Sequence, residues 1–196
     1  MMTNTTDSKR LRFDALTHTY SINDIVIPSV TQILKATGCV DDRWYTEEGR
    51  QRGEIVDKLT SAHDDGRLDY KELAKRYPEY MGYLEAWIQF RRAIVTDVIA
   101  IQEWVLHLED GYAGTLDRRV RVLGGQLFLI DTKLGAKCSW HPLQTIAYAR
   151  CLDEPHARAC VYLRSDGTYR FVEHASPADE PAWQSVLTIY RYLHGA

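Results

Sequence analysis

The sequence lacks the features that define several classes of protein. No apolar run approaches the roughly 20 residues of a membrane-spanning helix, so no spanning segment and no membrane partner are expected. The 4 cysteines form no C-x-x-C pair, which disfavours a zinc site and favours reduced core cysteines in a cytoplasmic protein. The net charge of −3 neither supports nor excludes a nucleic-acid partner, because binding needs only a local basic face.

The length of 196 residues fits a single domain. Residues 1–10 are polar and lack the apolar stretch of a secretory signal, so we expect a disordered lead-in before one domain at 11–196. Its first part, 11–97, is predicted to hold a hairpin and helices, and its second part, 98–196, strands alternating with helices. This order predicts a mixed α/β (α+β) fold, in which helices flank a central mixed sheet and an N-terminal helical elaboration packs against it.

Periodicity and turn residues predict the individual elements. An N-terminal hairpin turns at Asn23-Asp24, Ser29 is a candidate N-cap, and Gly124-Gly125 offers a second hairpin turn. Helices are expected near 29–34, 47–62, 70–76, 78–94, 142–151 and 178–193, and core strands near 98–108, 113–123, 126–134, 157–164 and 168–174.

Acidic residues and a lysine follow one another around the second hairpin turn. Asp131 and Lys133 are two apart on a predicted strand, so they project from one face, and Asp117 lies near Asp131 if the two strands pair. Two carboxylates with a neighbouring lysine suit Mg²⁺, whose charge would also relieve the repulsion between the acids. The same spacing equally describes a solvated surface pair.

A polar pair on the next predicted helix distinguishes these alternatives. Gln144 and Tyr148 are four residues apart, so they share one helical face about ten residues after Lys133. A lone Gln and Tyr would carry little information. After an acid-x-lysine strand, they favour a catalytic centre over a surface pair.

In this order the motifs resemble the RecB-like and phage-type exonuclease branch of the PD-(D/E)XK nuclease superfamily. Upstream features are similar as well, so the resemblance spans about residues 13 to 152. The matching segments are His18-Thr19-Tyr20, residues 28–34, Arg52-Gly53, Gly114-x-x-Asp117, Asp131-x-Lys133 and Gln144-x-x-x-Tyr148.

The resemblance implies a restriction-endonuclease-like core and a Mg²⁺-dependent deoxyribonuclease in which Mn²⁺ can substitute for Mg²⁺. Asp117 and Asp131 would ligate the metal with help from the Thr132 carbonyl. Lys133 would position or activate the attacking water, and Gln144 and Tyr148 would contact the active site or the DNA backbone.

Two further acidic residues are candidate ligands. Glu103 matches an acid often found on the preceding strand, although a strand-end surface glutamate has the same pattern. Asp57 stands where the branch commonly has a histidine; an aspartate is a competent hard ligand, but it could equally signal another metal preference or be a surface residue. The spacing of Cys138, Cys151 and Cys160 does not fit an iron–sulphur cluster, so none is expected.

Basic residues near these motifs are candidate contacts for the DNA backbone, which would bind without sequence specificity. Such residues are also common on solvated helix faces. Trp44 and Tyr45 could stack on a base or belong to the core, and no base-reading motif is present. The candidate backbone contacts are Arg43, Arg50, Arg52, Lys58, Arg118, Arg119 and Lys137.

Three functions follow from the resemblance. The first is an exonuclease acting on DNA ends in recombination, repair or phage replication, with a single-strand annealing or binding protein as a possible partner. The second is a structure-specific or defence endonuclease with the same core. The third is a catalytically silent member that binds DNA or protein, which the intact Asp117, Asp131 and Lys133 disfavour. The oligomeric state is left open.

Overall fold

A small antiparallel sheet precedes the main fold in the computed structural model, which describes residues 11–40 and 46–195. It consists of β1 (Leu11–Asp14), β2 (Thr19–Ile22) and β3 (Ile25–Ile27). Asn23 and Asp24 form the tight turn at φ 50° and 65°, a left-handed conformation that short polar side chains tolerate. The predicted hairpin is confirmed, and β1 is an additional strand.

The helices of the first half begin and end close to their predicted bounds. Ser29 caps the first helix: its Oγ accepts a hydrogen bond from the Gln32 amide at 3.1 Å, and Gln32 Oε1 accepts one from the Ser29 amide at 2.8 Å. The helices are α1 (Val30–Ala36), α2 (Glu47–Asp64), α3 (Tyr70–Arg76) and, after a 3₁₀ turn at Pro78–Tyr80, α4 (Met81–Ile94).

The second half forms a five-stranded mixed sheet in the order β4-β5-β6-β7-β8. Only β6 and β7 are parallel, and α5 makes the crossover that a parallel pair requires. With six helices in the described part of the chain, the fold is mixed α/β, as predicted. The elements are β4 (Val95–His107), β5 (Tyr112–Val122), β6 (Leu127–Lys133), α5 (His141–Ala149), β7 (Ala157–Leu163), β8 (Tyr169–Glu173) and α6 (Asp179–His194).

Each face of this sheet carries its own apolar core. Leu129 of β6 belongs to the core formed with α1, α5 and α6, whereas the next residue, Ile130, belongs to the core formed with α2 and α4. The strand is therefore apolar on both faces until it reaches Asp131. None of the described helices has the length and apolar character needed to span a bilayer.

The N-terminal segment docks directly on β5. The Ala113 amide donates to the Pro28 carbonyl at 3.0 Å, and the Tyr20 hydroxyl lies 2.7 Å from Thr115 Oγ1. These contacts flank Gly114, so the N-terminal segment supports the strand that carries Asp117. The four cysteines are all free; three are partly buried against the first core, and Cys160 is fully buried.

Candidate active site

The predicted acidic residues meet where β5 and β6 separate. The last paired residues of this ladder are Arg118 and Ile130, so Asp117 and Asp131 occupy the next position on each strand. There Asp117 Oδ2 accepts hydrogen bonds from the Thr132 amide at 2.8 Å and the Thr132 hydroxyl at 2.6 Å. A carboxylate thus replaces the backbone partner that Thr132 would otherwise have, and the strands can diverge without leaving its amide unpaired.

Lys133 connects the acidic strand end to α5. Its Nζ lies 2.5 Å from Asp131 Oδ2, donates to Gln144 Oε1 at 2.8 Å and stands 5.1 Å from the centre of the Trp140 ring. Gln144 Nε2 in turn donates to the Tyr148 hydroxyl at 3.2 Å. Because Asp131 is only 3% exposed and Gln144 is buried, the alternative of a solvated surface pair is wrong.

The glycine of the first motif makes room for the tyrosine of the third. A Cβ atom on Gly114 would lie 2.5 Å from Tyr148 Cε1, well inside van der Waals contact. The Tyr148 ring is only 4% exposed and is enclosed by the core between the sheet and α5. A side chain at position 114 would therefore displace the tyrosine that supports Gln144.

Burial and charge shift the pKa values of these groups upward. Burial raises the pKa of Asp131 to about 6, against the lowering effect of Lys133 and with a further contribution from Asp117. Burial alone would lower the pKa of Lys133, but the Asp131 carboxylate holds it above the usual range. Burial also raises the pKa of the Tyr148 hydroxyl well above its ordinary value. At neutral pH Lys133 is therefore a cation and Tyr148 a neutral hydroxyl.

Asp57 faces the same acidic group from α2. Its Oδ1 accepts a hydrogen bond from Gln102 Nε2 at 2.8 Å and lies 3.9 Å from Arg118 Nη1. Burial, together with the charges of Asp117 and Asp131, raises the pKa of Asp57 to about 7, against the lowering effect of Arg118. The negative charges of Asp117 and Asp131 therefore act on Asp57, and a cation held between the three carboxylates would reduce their mutual repulsion.

Gln102, the partner of Asp57, has an unusual backbone conformation. It has φ of 51° within β4, in the left-handed region that a residue with a side chain seldom adopts in a strand. Local strain of this kind is often found at functional sites. No local sequence signal predicts it.

Arg118 is a correction to the predicted set of DNA contacts. Its side chain is fully buried and donates from Nε to Asp64 Oδ2 at 2.7 Å and from Nη1 to the Asp117 carbonyl at 2.7 Å. Asp64 also accepts hydrogen bonds from Trp87 and Arg91. A guanidinium enclosed in this way cannot reach a DNA backbone; it fixes the strand that carries Asp117 to α2 instead.

Glu103 has a partner other than the predicted metal ligands. Both its carboxylate oxygens accept hydrogen bonds from Arg119, at 2.6 and 2.9 Å. In this bidentate pair the carboxylate of Glu103 compensates the positive charge of Arg119, a predicted contact for the DNA backbone.

The remaining basic candidates differ in how far their charge is compensated. Arg50 forms ion pairs with Glu47 and Glu54 on its own helix. Arg52, Lys58 and Lys137 are exposed, and within the described ranges none of the three forms an ion pair. The predicted contact at Arg43, like Trp44 and Tyr45, lies outside the described residues.

The strand carboxylates present a donor set suited to a hard cation. Each of Asp117 and Asp131 uses Oδ2 for its protein partners, and no described residue donates a hydrogen bond to Oδ1 of either one. Within residues 11–40 and 46–195, no group of three or more His, Cys, Asp or Glu side chains is arranged to hold a metal ion. Mg²⁺ needs fewer: it is usually bound through one or two carboxylates, several waters and substrate phosphates.

Several residues of the site were not predicted from the sequence. Trp140, at the N-terminus of α5, covers Lys133, and its position close after the D-x-K strand was a usable signal. Asp64 and Gln102 reach the site from elements that are distant in sequence, which no local pattern reveals.

The chain matches no protein-family model, and the search of curated proteins found no match. The candidate function rests on the geometry of the site and on the motif resemblance.

Proposed function

We propose that the chain is a metal-dependent DNA nuclease of restriction-endonuclease-like fold that hydrolyses phosphodiester bonds, acting from DNA ends. The observation that carries the proposal is the meeting of Asp117, Asp131 and Lys133 at the end of the β5–β6 ladder, with Gln144 and Tyr148 behind them. The buried carboxylate of Asp131, beside the partly buried Asp117 and Lys133, is costly to maintain in the absence of a function.

Mg²⁺, or Mn²⁺ in its place, would be held by Asp117 and Asp131, with the Thr132 carbonyl completing the protein ligands. Asp57 faces the same acidic group and would hold a metal-bound water or serve as a further ligand. Such a cation neutralises charge on the scissile phosphate and lowers the pKa of a bound water. Hard oxygen donors favour these metals over zinc.

Lys133 acts as a hydrogen-bond donor rather than as a base. An ammonium has three N–H groups, and Asp131 and Gln144 account for two of them. The third is left to orient the attacking water or to bind a phosphate oxygen. Because the Asp131 carboxylate raises the pKa of Lys133, the group remains protonated at neutral pH and cannot accept the proton of the water.

Gln144 and Tyr148 position Lys133. Gln144 links the ammonium to the Tyr148 hydroxyl, and the buried Tyr148 ring fixes this arrangement against Gly114. Together they keep the lysine in one orientation, which lowers the entropic cost of reaching the reactive geometry.

The exposed Arg52, Lys58 and Lys137 would contact the DNA backbone without reading its sequence. A single-strand annealing or binding protein is the partner expected of an enzyme that exposes single strands. The free cysteines agree with action in the reducing cytoplasm.

Degradation of labelled linear duplex DNA, compared with the closed circular form, tests the proposal. We expect Mg²⁺- or Mn²⁺-dependent loss of the linear DNA only, abolished in Asp131→Ala and in Lys133→Met. Lys71→Met, which removes an exposed lysine of α3, serves as the matched control and should retain activity. Equal cleavage of circular DNA would instead establish an endonuclease, and intact DNA under every metal condition would contradict the nuclease proposal.

A further inference from the structure

A cavity of about 480 Å³ opens at the edge of the sheet where the parallel strands β6 and β7 end, directly beyond Lys133. Its polar lining is basic, with Lys137, Arg164 and Arg170, and no acidic residue lines it. Leu134, Leu163 and Tyr162 supply apolar and aromatic surface between these cations.

The three cations of this cleft are available to a ligand. Lys137, Arg164 and Arg170 are all exposed. In the described part of the chain none of them forms an ion pair, whereas Arg118 and Arg119 beside the strand carboxylates do. Three positive charges without an ion-pair partner around one concave surface favour an anionic ligand, although the Asp166 carboxylate partly offsets the charge of Arg164.

The cleft is joined to the catalytic centre by one row of residues across the sheet. Lys133 pairs with Tyr162 of β7, and Tyr162 pairs with Arg170 of β8. Paired residues project from the same face, and adjacent strands lie about 4.8 Å apart, so Arg170 begins roughly 10 Å from Lys133. The Tyr162 hydroxyl is held between them by His141 Nδ1 at 2.7 Å.

We propose that this cleft binds the phosphodiester backbone of a single DNA strand next to the bond that is cleaved, an inference that rests on the proposed nuclease function. Arg164 and Arg170 would bind phosphate oxygens, with Lys137 at the mouth nearest Lys133. The volume lies within the about 300–1,000 Å³ typical of pockets for small ligands, which suits one nucleotide unit rather than a duplex. The separation of about 10 Å corresponds to a few nucleotides of one strand.

Binding measured without cleavage tests the cleft directly. The probe is a fluorescein-labelled single-stranded oligonucleotide, followed by fluorescence anisotropy in EDTA over a range of salt concentrations. The variant is Arg164→Gln/Arg170→Gln, and the charge-matched control is Lys71→Gln/Lys75→Gln, which removes two exposed cations of α3.

We expect the cleft variant to bind on the order of tenfold more weakly than the wild type, with the control unchanged. Loss of two phosphate contacts should also make the slope of log K against log salt shallower by about 1.4, at about 0.7 for each contact with a single strand. Equal affinity in the cleft variant and wild type would overturn the proposal. So would a loss confined to duplex DNA or to RNA of the same sequence.

Cleavage assays on the same proteins separate this proposal from the nuclease function. If the wild type degrades linear DNA and the cleft variant has the same single-strand affinity and cleavage rate, the proposed binding site is wrong and the nuclease proposal stands. If the wild type cleaves no DNA but the cleft variant still loses single-strand affinity, the binding site stands and the nuclease function fails.

Discussion

The contact between Gly114 and Tyr148 gives a sharp test of how the site is built. In Gly114→Ala the new Cβ would lie 2.5 Å from Tyr148 Cε1, whereas an ordinary contact begins near 3.4 Å, so one of the two must move by about 0.9 Å. Overpacking of this kind costs about 1–3 kcal/mol, and alanine returns up to about 1 kcal/mol by restricting the unfolded chain. We expect a net loss of about 1–2 kcal/mol, which lowers Tm by roughly 2–8 °C.

Thermal unfolding followed by circular dichroism measures this loss. Gly53→Ala is the control, because nothing lies within 4 Å of its added Cβ on α2; it should raise the stability by about 1 kcal/mol. In a Tyr148→Leu background, Gly114→Ala should lose its penalty, because the ring that it would strike is gone. An unchanged or higher Tm for Gly114→Ala alone, or a penalty that persists in that background, would refute the reasoning.

Three further predictions concern the groups around the site. In the metal-free protein, Asp57→Asn should become more stable relative to the wild type as pH rises from 3.8 to about 7, because Asp57 keeps its proton in the folded protein at pH values where the unfolded chain has lost it. A difference in unfolding free energy between the two proteins that stays constant across this pH range, measured by urea denaturation, would contradict this. Arg118→Ala should lower the free energy of unfolding by about 3–5 kcal/mol, since it leaves buried Asp64 without one of its partners, whereas Arg12→Ala in an exposed pair should cost less than about 1 kcal/mol; similar costs for both in urea would rule out the buried network. Gln144→Leu should lower kcat on linear DNA by on the order of 10- to 100-fold with little change in KM, because Lys133 loses its orientation; an unchanged kcat would remove Gln144 from the positioning role.

Local patterns predicted much of the fold because the relevant interactions are short-range. The Ser29 capping box spans three residues, and the Asn23-Asp24 and Gly124-Gly125 turns are set by backbone conformations that these residue types favour. The turn at Gly124-Gly125 also fixes the register of β5 against β6. That register places Asp117 opposite Asp131, at the first position beyond the last paired residues of the two strands, which explains why their proximity was predictable.

The rest of the site depends on contacts between distant segments. The burial of Arg118 follows from α2 and α4 covering that face of β5, and its partner Asp64 is 54 residues away, so strand alternation alone could not place it. Asp57 is brought to the strand carboxylates by the same packing. Gln102, 45 residues from Asp57, reaches it from a left-handed backbone position that its residue type does not predict.

One comparison tests most directly whether Asp117 and Asp131 hold a cation on which phosphodiester hydrolysis depends. The release of acid-soluble nucleotides from linear duplex DNA would be followed for the wild type and for Asp131→Asn, which keeps the shape of the side chain but removes its charge. We predict release by the wild type with Mg²⁺, none in EDTA, and a loss of at least about a hundredfold in Asp131→Asn. Release by Asp131→Asn at the wild-type rate, or release that persists in EDTA, would contradict the proposed centre.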